Sequence, residues 1–564
     1  MTTPETPTKV FEQEFPKLYQ EFQENDYELK EFQNNVINHV ICEPTTLAVM
    51  PTGGGKSLIY WISARAAKGT CLIVSPLIAL LDEQAEKLEE QGFEVLAIHS
   101  GMGASEQMKQ LKAFANGEFK PDFIFVSPER LATDGFFEYC MTVQKDRIKL
   151  LVVDEVHCIS QWGFDFRPFY KHIPNFLNRV FNQQWPKVLG LTATLNPQDL
   201  KEIAQDFKIP RTAILKDQEN LLRTDIDLKV KKFAFEDEKE DYLWQLLSQY
   251  EGEKILVYLY KKYGKRGVDQ LTEKAIENGY KALSFHGDLS SKERQDIIGQ
   301  FKSGEKEVIF ATNAFGMGID IPDIRIVIHF MIPESIEQYY QEIGRAGRDG
   351  NGAISYLLFT NKNVSVKKSH FINKSFPKDE EQIKSLFERA TNSKTGYRSL
   401  QFFEEEELQS ALPYFLNSSA LSIAGKGFTS LNVFENVENQ KLKMLLDASR
   451  TGMVIPLLKK RANNDQGIRD FFDTTYSAVV NNQAKFKKNK KLYKCLIINA
   501  VVSHLTNEQL SEIEDEIQSK KKYKHDLLDI LVALLDNYDW SKSLHQEIGR
   551  YLGVPKHLLG KIHE

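Results

Sequence analysis

The chain has little cysteine. It has five in 564 residues (Cys42, Cys71, Cys140, Cys158 and Cys495), with no C-x-x-C pair among them. Scattered in this way they predict reduced thiols in an intracellular protein, and neither a disulfide frame nor a zinc site. The chain also lacks any uninterrupted apolar run near the ~18 residues that a membrane span requires. The start, Met1-Thr2-Thr3-Pro4-Glu5, has no apolar signal core. These absences predict a cytoplasmic protein with no membrane segment. Positive charge is not in excess, the formal net charge being −6. That argues against a protein that simply coats DNA, but it leaves room for a motor, which needs local positive potential and not a basic average. There is no internal repeat and no long low-complexity tract. The chain is 42% hydrophobic and 27% charged, within the soluble range, and its length suits three or four domains.

The strongest local signal is Met50-Pro51-Thr52-Gly53-Gly54-Gly55-Lys56-Ser57. It follows the apolar run Leu47-Ala48-Val49 and precedes Leu58-Ile59-Tyr60-Trp61, which gives strand, glycine turn and helix, the setting of a phosphate-binding loop. Gly53, Gly54 and Gly55, with Thr52, would let the backbone turn tightly and aim N–H groups at phosphate oxygens. The helix start adds its positive end. Lys56 is expected to reach the β- and γ-phosphates of ATP, and Ser57 to hold Mg²⁺.

Between about Leu29 and Asp225, short apolar runs such as Cys71-Leu72-Ile73-Val74, Phe123-Ile124-Phe125-Val126, Leu150-Leu151-Val152-Val153 and Val188-Leu189-Gly190-Leu191 alternate with charged helical stretches. Runs of this kind read as strands buried on both faces, hence a doubly wound α/β domain with a parallel sheet. A second series, Ile255-Leu256-Val257-Tyr258, Ala282-Leu283-Ser284-Phe285, Val308-Ile309-Phe310 and Ile326-Val327-Ile328, predicts another such domain without a phosphate loop. The remainder is rich in Glu, Lys, Leu and Asn and reads mostly as helix. The expected division is an extension over 1–28, an ATP-binding domain over 29–225, a second α/β domain over 226–362, and a mostly helical accessory or partner-binding region over 363–564.

Asp154-Glu155-Val156-His157 follows the run Leu150–Val153 directly. Carboxylates at the C-terminal end of a parallel strand lie where such sheets bind ligands. Asp154 is expected to hold Mg²⁺ through water and Glu155 to deprotonate the attacking water. Just beyond stand Trp162, Phe164 and Phe166, alternating with polar groups and followed by Arg167. Rings so placed can stack on unpaired bases, at about 1–3 kcal/mol each, and so gate hydrolysis; packing into an ordinary core is the plainer alternative. Gln341-Glu342-Ile343-Gly344-Arg345-Ala346-Gly347-Arg348 supplies two arginines three apart, on one face if helical. Their guanidinium forks suit a γ-phosphate across a cleft.

Together these stretches resemble the superfamily-two nucleic-acid helicases, and among them the RecQ family of DNA helicases. Met50, where the common loop has Gly, is a departure frequent in nucleic-acid helicases. Ser75-Pro76-Leu77-Ile78-Ala79-Leu80 resembles motif Ia, Ser127-Pro128-Glu129-Arg130-Leu131 motif Ib, Leu191-Thr192-Ala193-Thr194 motif III, Thr312 to Pro322 motif V, and the arginine segment motif VI. Cys158 to Pro168 resembles the aromatic-rich loop of RecQ proteins, with Phe164 where His is usual. Leu29-Lys30-Glu31-Phe32-Gln33 resembles motif 0, with Lys30 for the usual Arg. The resemblance runs from Lys30 to Phe359. It implies two RecA-like domains; adenine read by Gln33 beside Lys30; DNA contacts from Ser75, Pro76, Ser127, Arg130, Trp162, Phe164, Phe166, Arg167 and Thr312; a link between ATP and DNA sites through Asp320; and 3′→5′ travel on DNA.

The family commonly continues into a four-cysteine zinc module. Here no cysteine lies between Cys158 and Cys495, so no zinc is expected. The basic segment Tyr260 to Arg266 suits a nucleic-acid backbone or a solvated loop equally. The tail runs Lys485 to Lys491 and Lys520-Lys521-Lys522-Tyr523-Lys524 suit nucleic acid or a solvated helix face equally. Glu404 to Glu407 suits a protein contact. The leading expectation is an ATP-dependent DNA helicase; the alternatives are an RNA helicase and an ATP-switched clamp that recruits partners to DNA without unwinding it.

Overall fold

The computed structural model describes residues 5–76, 78–98, 104–159, 168–193, 196–316, 319, 321–391, 397–400, 406–427, 431–433, 465–486, 495–536 and 543–560. Two parallel sheets organise the first two-thirds. The first contains β1 (Thr45–Val49), β2 (Thr70–Val74), β3 (Val95–Ile98), β4 (Phe123–Val126), β5 (Ile148–Val153), β6 (Lys187–Thr192) and β7 (Ile214–Lys216), in the spatial order β3-β4-β2-β5-β6-β1-β7. Leu72, Leu151 and Leu47 face one layer of helices, and Cys71, Ile73, Leu150 and Val152 the other. This is why these strands read as continuous apolar runs. The order places β2, β5, β6 and β1 side by side at the centre. Val74 pairs with Val153 and Val49 with Thr192, so the loops after all four strands open on one edge.

The second sheet contains β8 (Ile226–Phe233), β9 (Ile255–Tyr258), β10 (Ala282–Phe285), β11 (Val308–Ala311), β12 (Ile326–His329) and β13 (Ala353–Thr360), ordered β10-β11-β9-β12-β13-β8 and parallel throughout. Both sheets are of the RecA-like kind that the sequence predicts.

The first residues do not stand apart. Helices Pro7–Glu14 and Pro16–Glu24 fold onto the first sheet. Phe11 and Phe15 are fully buried, and Phe15 stacks on Trp61 with ring centroids 6.2 Å apart. Arg65 bonds Glu14 at 2.7 Å and also pairs with Asp122. Removing a ring buried to this degree costs about 3–5 kcal/mol.

The accessory region adds helices Glu380–Thr391, Glu406–Asn417, Asp465–Val480, Asn507–Asp536 and Leu544–Leu552. It also holds strands the sequence reading misses: β14 (Tyr397–Leu400), β15 (Leu421–Gly427), β16 (Leu431–Val433), β17 (Ala484–Phe486) and β18 (Cys495–Ala500). β14, β18 and β15 form an antiparallel sheet, with a register shift in β15 between Ile423 and Gly425. The glycines that hide this strand from a pattern search are needed there, since a Cβ at Gly427 has no room beside the Phe472 ring. No helix among the described residues is long and apolar enough to cross a membrane.

Candidate active site

The chain leaves β1 with Met50 N donating to the Thr192 carbonyl at 3.0 Å, then turns at Gly53 (φ +77°) and Gly55 (φ +83°) into helix Lys56–Ala66. Those left-handed angles are ones only glycine takes freely. The first helical N–H groups face a cavity of about 770 Å³ lined by Thr52 to Ser57, Lys30, Gln33, Asp154 and Glu155. Gln33 is buried; its Oε1 accepts from Lys30 N and its Nε2 donates to the Gly54 carbonyl, both at 2.9 Å. It therefore ties the start of its own helix to the glycine loop.

At the end of β5, Asp154 and Glu155 both lie in the field of Lys56. Lys56 Nζ donates to Glu155 Oε1 at 3.1 Å, while Asp154 accepts from Ser75 Oγ at 3.1 Å and from Glu155 N at 3.0 Å. Burial, with Glu155 adding, pushes the Asp154 carboxyl up to about 6. Burial pushes Glu155 up as well, but Lys56 and His157 pull it below the usual carboxylate range. Glu155 sits at φ +49°, a strained angle for a residue with a side chain, held by its neighbours on both sides. His157 Nδ1 lies 2.9 Å from Thr192 Oγ1 and 3.3 Å from Glu155 Oε2. Burial lowers the affinity of this imidazole for a proton, but the Cys158 thiol and the Glu155 carboxylate outweigh it and raise the pKa to about 10. The catalytic box is thus joined to the end of β6.

The opposite wall comes from the second sheet. Helix Ile336–Ile343 stops before Gly344, so Arg345 and Arg348 lie on a turn and not on one helical face, contrary to the sequence expectation. Gly344 caps the helix, and Gly347 (φ +58°) bends the chain away. The two arginines consequently part. Arg348 lines the cavity, with Nε 3.3 Å from the Gly344 carbonyl and Nη1 3.3 Å from the Ile319 carbonyl. Arg345 is buried beside Tyr258. Gln341 lies half-buried on the helix and is not part of the lining. Thr52 Oγ1 donates to the Gly344 carbonyl at 3.2 Å, a direct bond between the glycine loop and the arginine turn.

The residues expected at nucleic acid are placed unevenly. Ser75 holds Asp154, with Pro76 buried beside it. Ser127 caps helix Pro128–Thr133 by accepting from Arg130 N. The Arg130 side chain is buried, 2.5 Å from Asp134 and 2.6 Å from Gln107. Thr312 is buried and accepts from Ala314 N at 3.3 Å. Trp162, Phe164, Phe166, Arg167 and Asp320 lie outside the described residues.

Two contributors escape sequence reasoning. Tyr27 stands at the cavity mouth, 61% exposed, offering a ring where a base would sit; an isolated Tyr carries no sequence signal. Arg223, in the segment joining the two sheets, donates to the carbonyls of Ala346 (2.9 Å) and Gly347 (3.0 Å) while paired with Asp225. The Arg-x-Asp spacing is the one hint of it.

Known proteins resemble this chain in sequence and in fold. Residues 30–203 match the DEAD/DEAH box helicase family and residues 238–350 the helicase conserved C-terminal domain, together just over half of the chain. A probable ATP-dependent DNA helicase RecS of Bacillus subtilis is 36% identical over 341 residues, which cover 60% of this chain and 66% of that protein. The ATP-dependent DNA helicase RecQ of the same organism is 33% identical over 341 residues, 60% of this chain and 55% of that one. The chain belongs to the DEAD/DEAH box helicases, and these relatives are of the RecQ type. It matches less than two-thirds of the length of either relative. Among solved structures, Mss116p bound to single-stranded RNA and AMP-PNP superposes with a TM-score of 0.51 at 16% identity, covering 69% of this chain and 86% of that one; the likeness is one of fold.

The donor set of this site fits magnesium. The Ser57 hydroxyl and the Asp154 carboxylate both line the cavity beside the glycine loop. A carboxylate and a hydroxyl suit a hard cation whose remaining ligands are water and phosphate oxygens.

Proposed function

We propose that this chain is an ATP-dependent DNA helicase that moves 3′→5′ on single-stranded DNA and couples hydrolysis to duplex unwinding, in cytoplasmic DNA repair, recombination or genome defence. The observation that carries the reading is the single cavity in which Lys56, Glu155 and Arg348 meet, with the Thr52–Gly344 bond across it. The printed names of the relatives, ATP-dependent DNA helicases, support DNA as the substrate.

In this reading residues 29–225 and 226–362 are the two motor halves. ATP enters with its base against Tyr27 and its phosphates on the glycine loop. Lys56 then exchanges Glu155 for phosphate oxygens, which frees the carboxylate to take a proton from the attacking water. Ser57 and Asp154 would hold magnesium, which would supply charge neutralisation at the phosphates. Arg348 meets the charge that develops on the γ-phosphate, and loss of that phosphate relaxes the turn at Gly344 and the grip of the halves on the strand.

A second reading, an ATP-switched clamp on DNA, draws support from the accessory helix Asn507–Asp536, which bonds to both halves. In either reading residues 363–564 are also the place where a protein partner would dock. Strand separation on a tailed duplex with a single-stranded 3′ end distinguishes the two. A helicase parts the strands; a clamp shows DNA-stimulated ATPase without separation.

A further inference from the structure

The basic run in helix Asn507–Asp536 does not face outward as a unit. Lys520 pairs with Glu516 at 2.6 Å, and the next two residues with contacts reach different halves of the motor. Tyr523 Oη donates to Asp199 Oδ1 at 3.1 Å, on helix Pro197–Asp206 after β6. Lys524 Nζ lies 4.0 Å from Glu334, in the turn before helix Ile336–Ile343. One helix later, Tyr551 Oη donates to Glu337 Oε1 at 2.8 Å. The field of Glu337 acts on Tyr523, and that of Asp199 on Tyr551, so the four side chains form one cluster.

Asp199 is 5% exposed and Glu337 4%. Each motor half therefore contributes one buried carboxylate, and each receives a hydroxyl from the accessory region. A buried carboxylate left short of donors is costly; Asp199 also accepts from Asn196 Nδ2 at 2.7 Å, and the two hydroxyls add one donor to each carboxylate. The cluster also engages a helix continuous with each wall of the cleft. Helix Ile336–Ile343 leads into the turn of Arg348, and helix Pro197–Asp206 follows the strand whose Thr192 contacts His157.

We propose that Tyr523 and Tyr551 are positioning residues that hold the two motor halves at the spacing where Arg348 faces the glycine loop; this rests on the split-site reading above. The accessory helices have other anchors, such as His545 Nε2, 2.8 Å from the Ile226 carbonyl, so losing two hydroxyls would leave them docked.

The test compares the wild-type chain, Tyr523→Phe/Tyr551→Phe, and that pair combined with either Asp199→Asn or Glu337→Gln. ATPase is measured with and without single-stranded DNA, and the separation of the halves by energy transfer between labels on each, with AMP-PNP present. The double variant should lose roughly five- to tenfold in DNA-stimulated kcat, the size of a typical coupling, with a longer separation of the halves. Removing a charge left without its tyrosine donor should restore most of both. An unchanged separation overturns the inference whatever the ATPase does. A loss that neither Asp199→Asn nor Glu337→Gln repairs also overturns it, because a merely structural role predicts no charge-dependent rescue. Absence of ATPase in the wild type contradicts the split-site reading instead, and the separation alone then decides the inference.

Discussion

Thr52 Oγ1 donates to the carbonyl of Gly344 at 3.2 Å, although one residue follows a strand of the first sheet and the other caps a helix packed on the second. This bond ties the glycine loop to the turn that carries Arg348, and both reach one cavity. Arg348→Ala should lower ATP turnover by roughly 10³-fold or more while leaving nucleotide binding nearly intact, since an arginine finger acts mainly on the transition state. Steady-state ATPase beside a nucleotide-binding titration checks this. Arg345→Ala should instead lower thermal stability, because Arg345 is buried beside Tyr258.

Glu155→Gln removes the proposed base and also the partner of Lys56. Turnover should fall about 10²–10⁴-fold with ATP affinity unchanged or tighter, as Lys56 no longer leaves a carboxylate to bind phosphate. Lys56→Ala should abolish turnover and weaken binding together. Comparing kcat and nucleotide Kd for the two variants separates the roles.

Tyr27→Ala tests the mouth of the cavity. Loss of one stacking ring, worth about 1–3 kcal/mol, should raise the KM for ATP about tenfold or more with little change in kcat. Gln33→Ala should act differently, lowering kcat as well, because Gln33 bonds the glycine loop itself.

Most of the catalytic centre was legible in the chain because its residues lie at strand ends. An apolar run followed by Gly-Gly-Gly-Lys-Ser or by Asp-Glu-x-His states both the strand and the group it delivers. The parting of Arg345 and Arg348 was not legible, since it depends on where a helix stops, and a Gly four residues before the second arginine marks that only weakly. Ser127 and Arg130 show a different limit. Their matched positions suggested nucleic acid, but the structure engages them in a helix cap and a buried ion pair. The antiparallel sheet of the accessory region escaped because one of its strands, Leu421–Gly427, contains Gly425 and Gly427. Tyr27 and Arg223 escaped because a single side chain placed by tertiary packing leaves no periodicity.

The contact between the accessory region and the first sheet should weaken in acid. Lys426 is fully buried, bonding the Leu131 carbonyl at 2.7 Å and pairing with Glu138, which Arg179 also holds at 2.9 Å. Burial alone would raise the Glu138 pKa, but Arg179 and Lys426 bring it down to about 2 from 4.5. A lowered carboxylate pKa means that the stabilisation is present above 4.5 and is lost as pH falls towards 2. Glu138→Gln should remove that part of the acid sensitivity and lower stability at neutral pH. Thermal unfolding followed from pH 7 to pH 3 checks both signs.

The central claim is that the cavity of Lys56, Glu155 and Arg348 drives movement on DNA. Its most direct test is ATPase without nucleic acid, with single-stranded DNA, with single-stranded RNA and with blunt duplex, paired with strand separation on a duplex carrying a single-stranded 3′ tail. The account predicts strong stimulation by single-stranded DNA, weak stimulation by RNA and blunt duplex, and ATP-dependent strand separation that Arg348→Ala abolishes. Stimulation by RNA alone, or strand separation that survives Arg348→Ala, would contradict it.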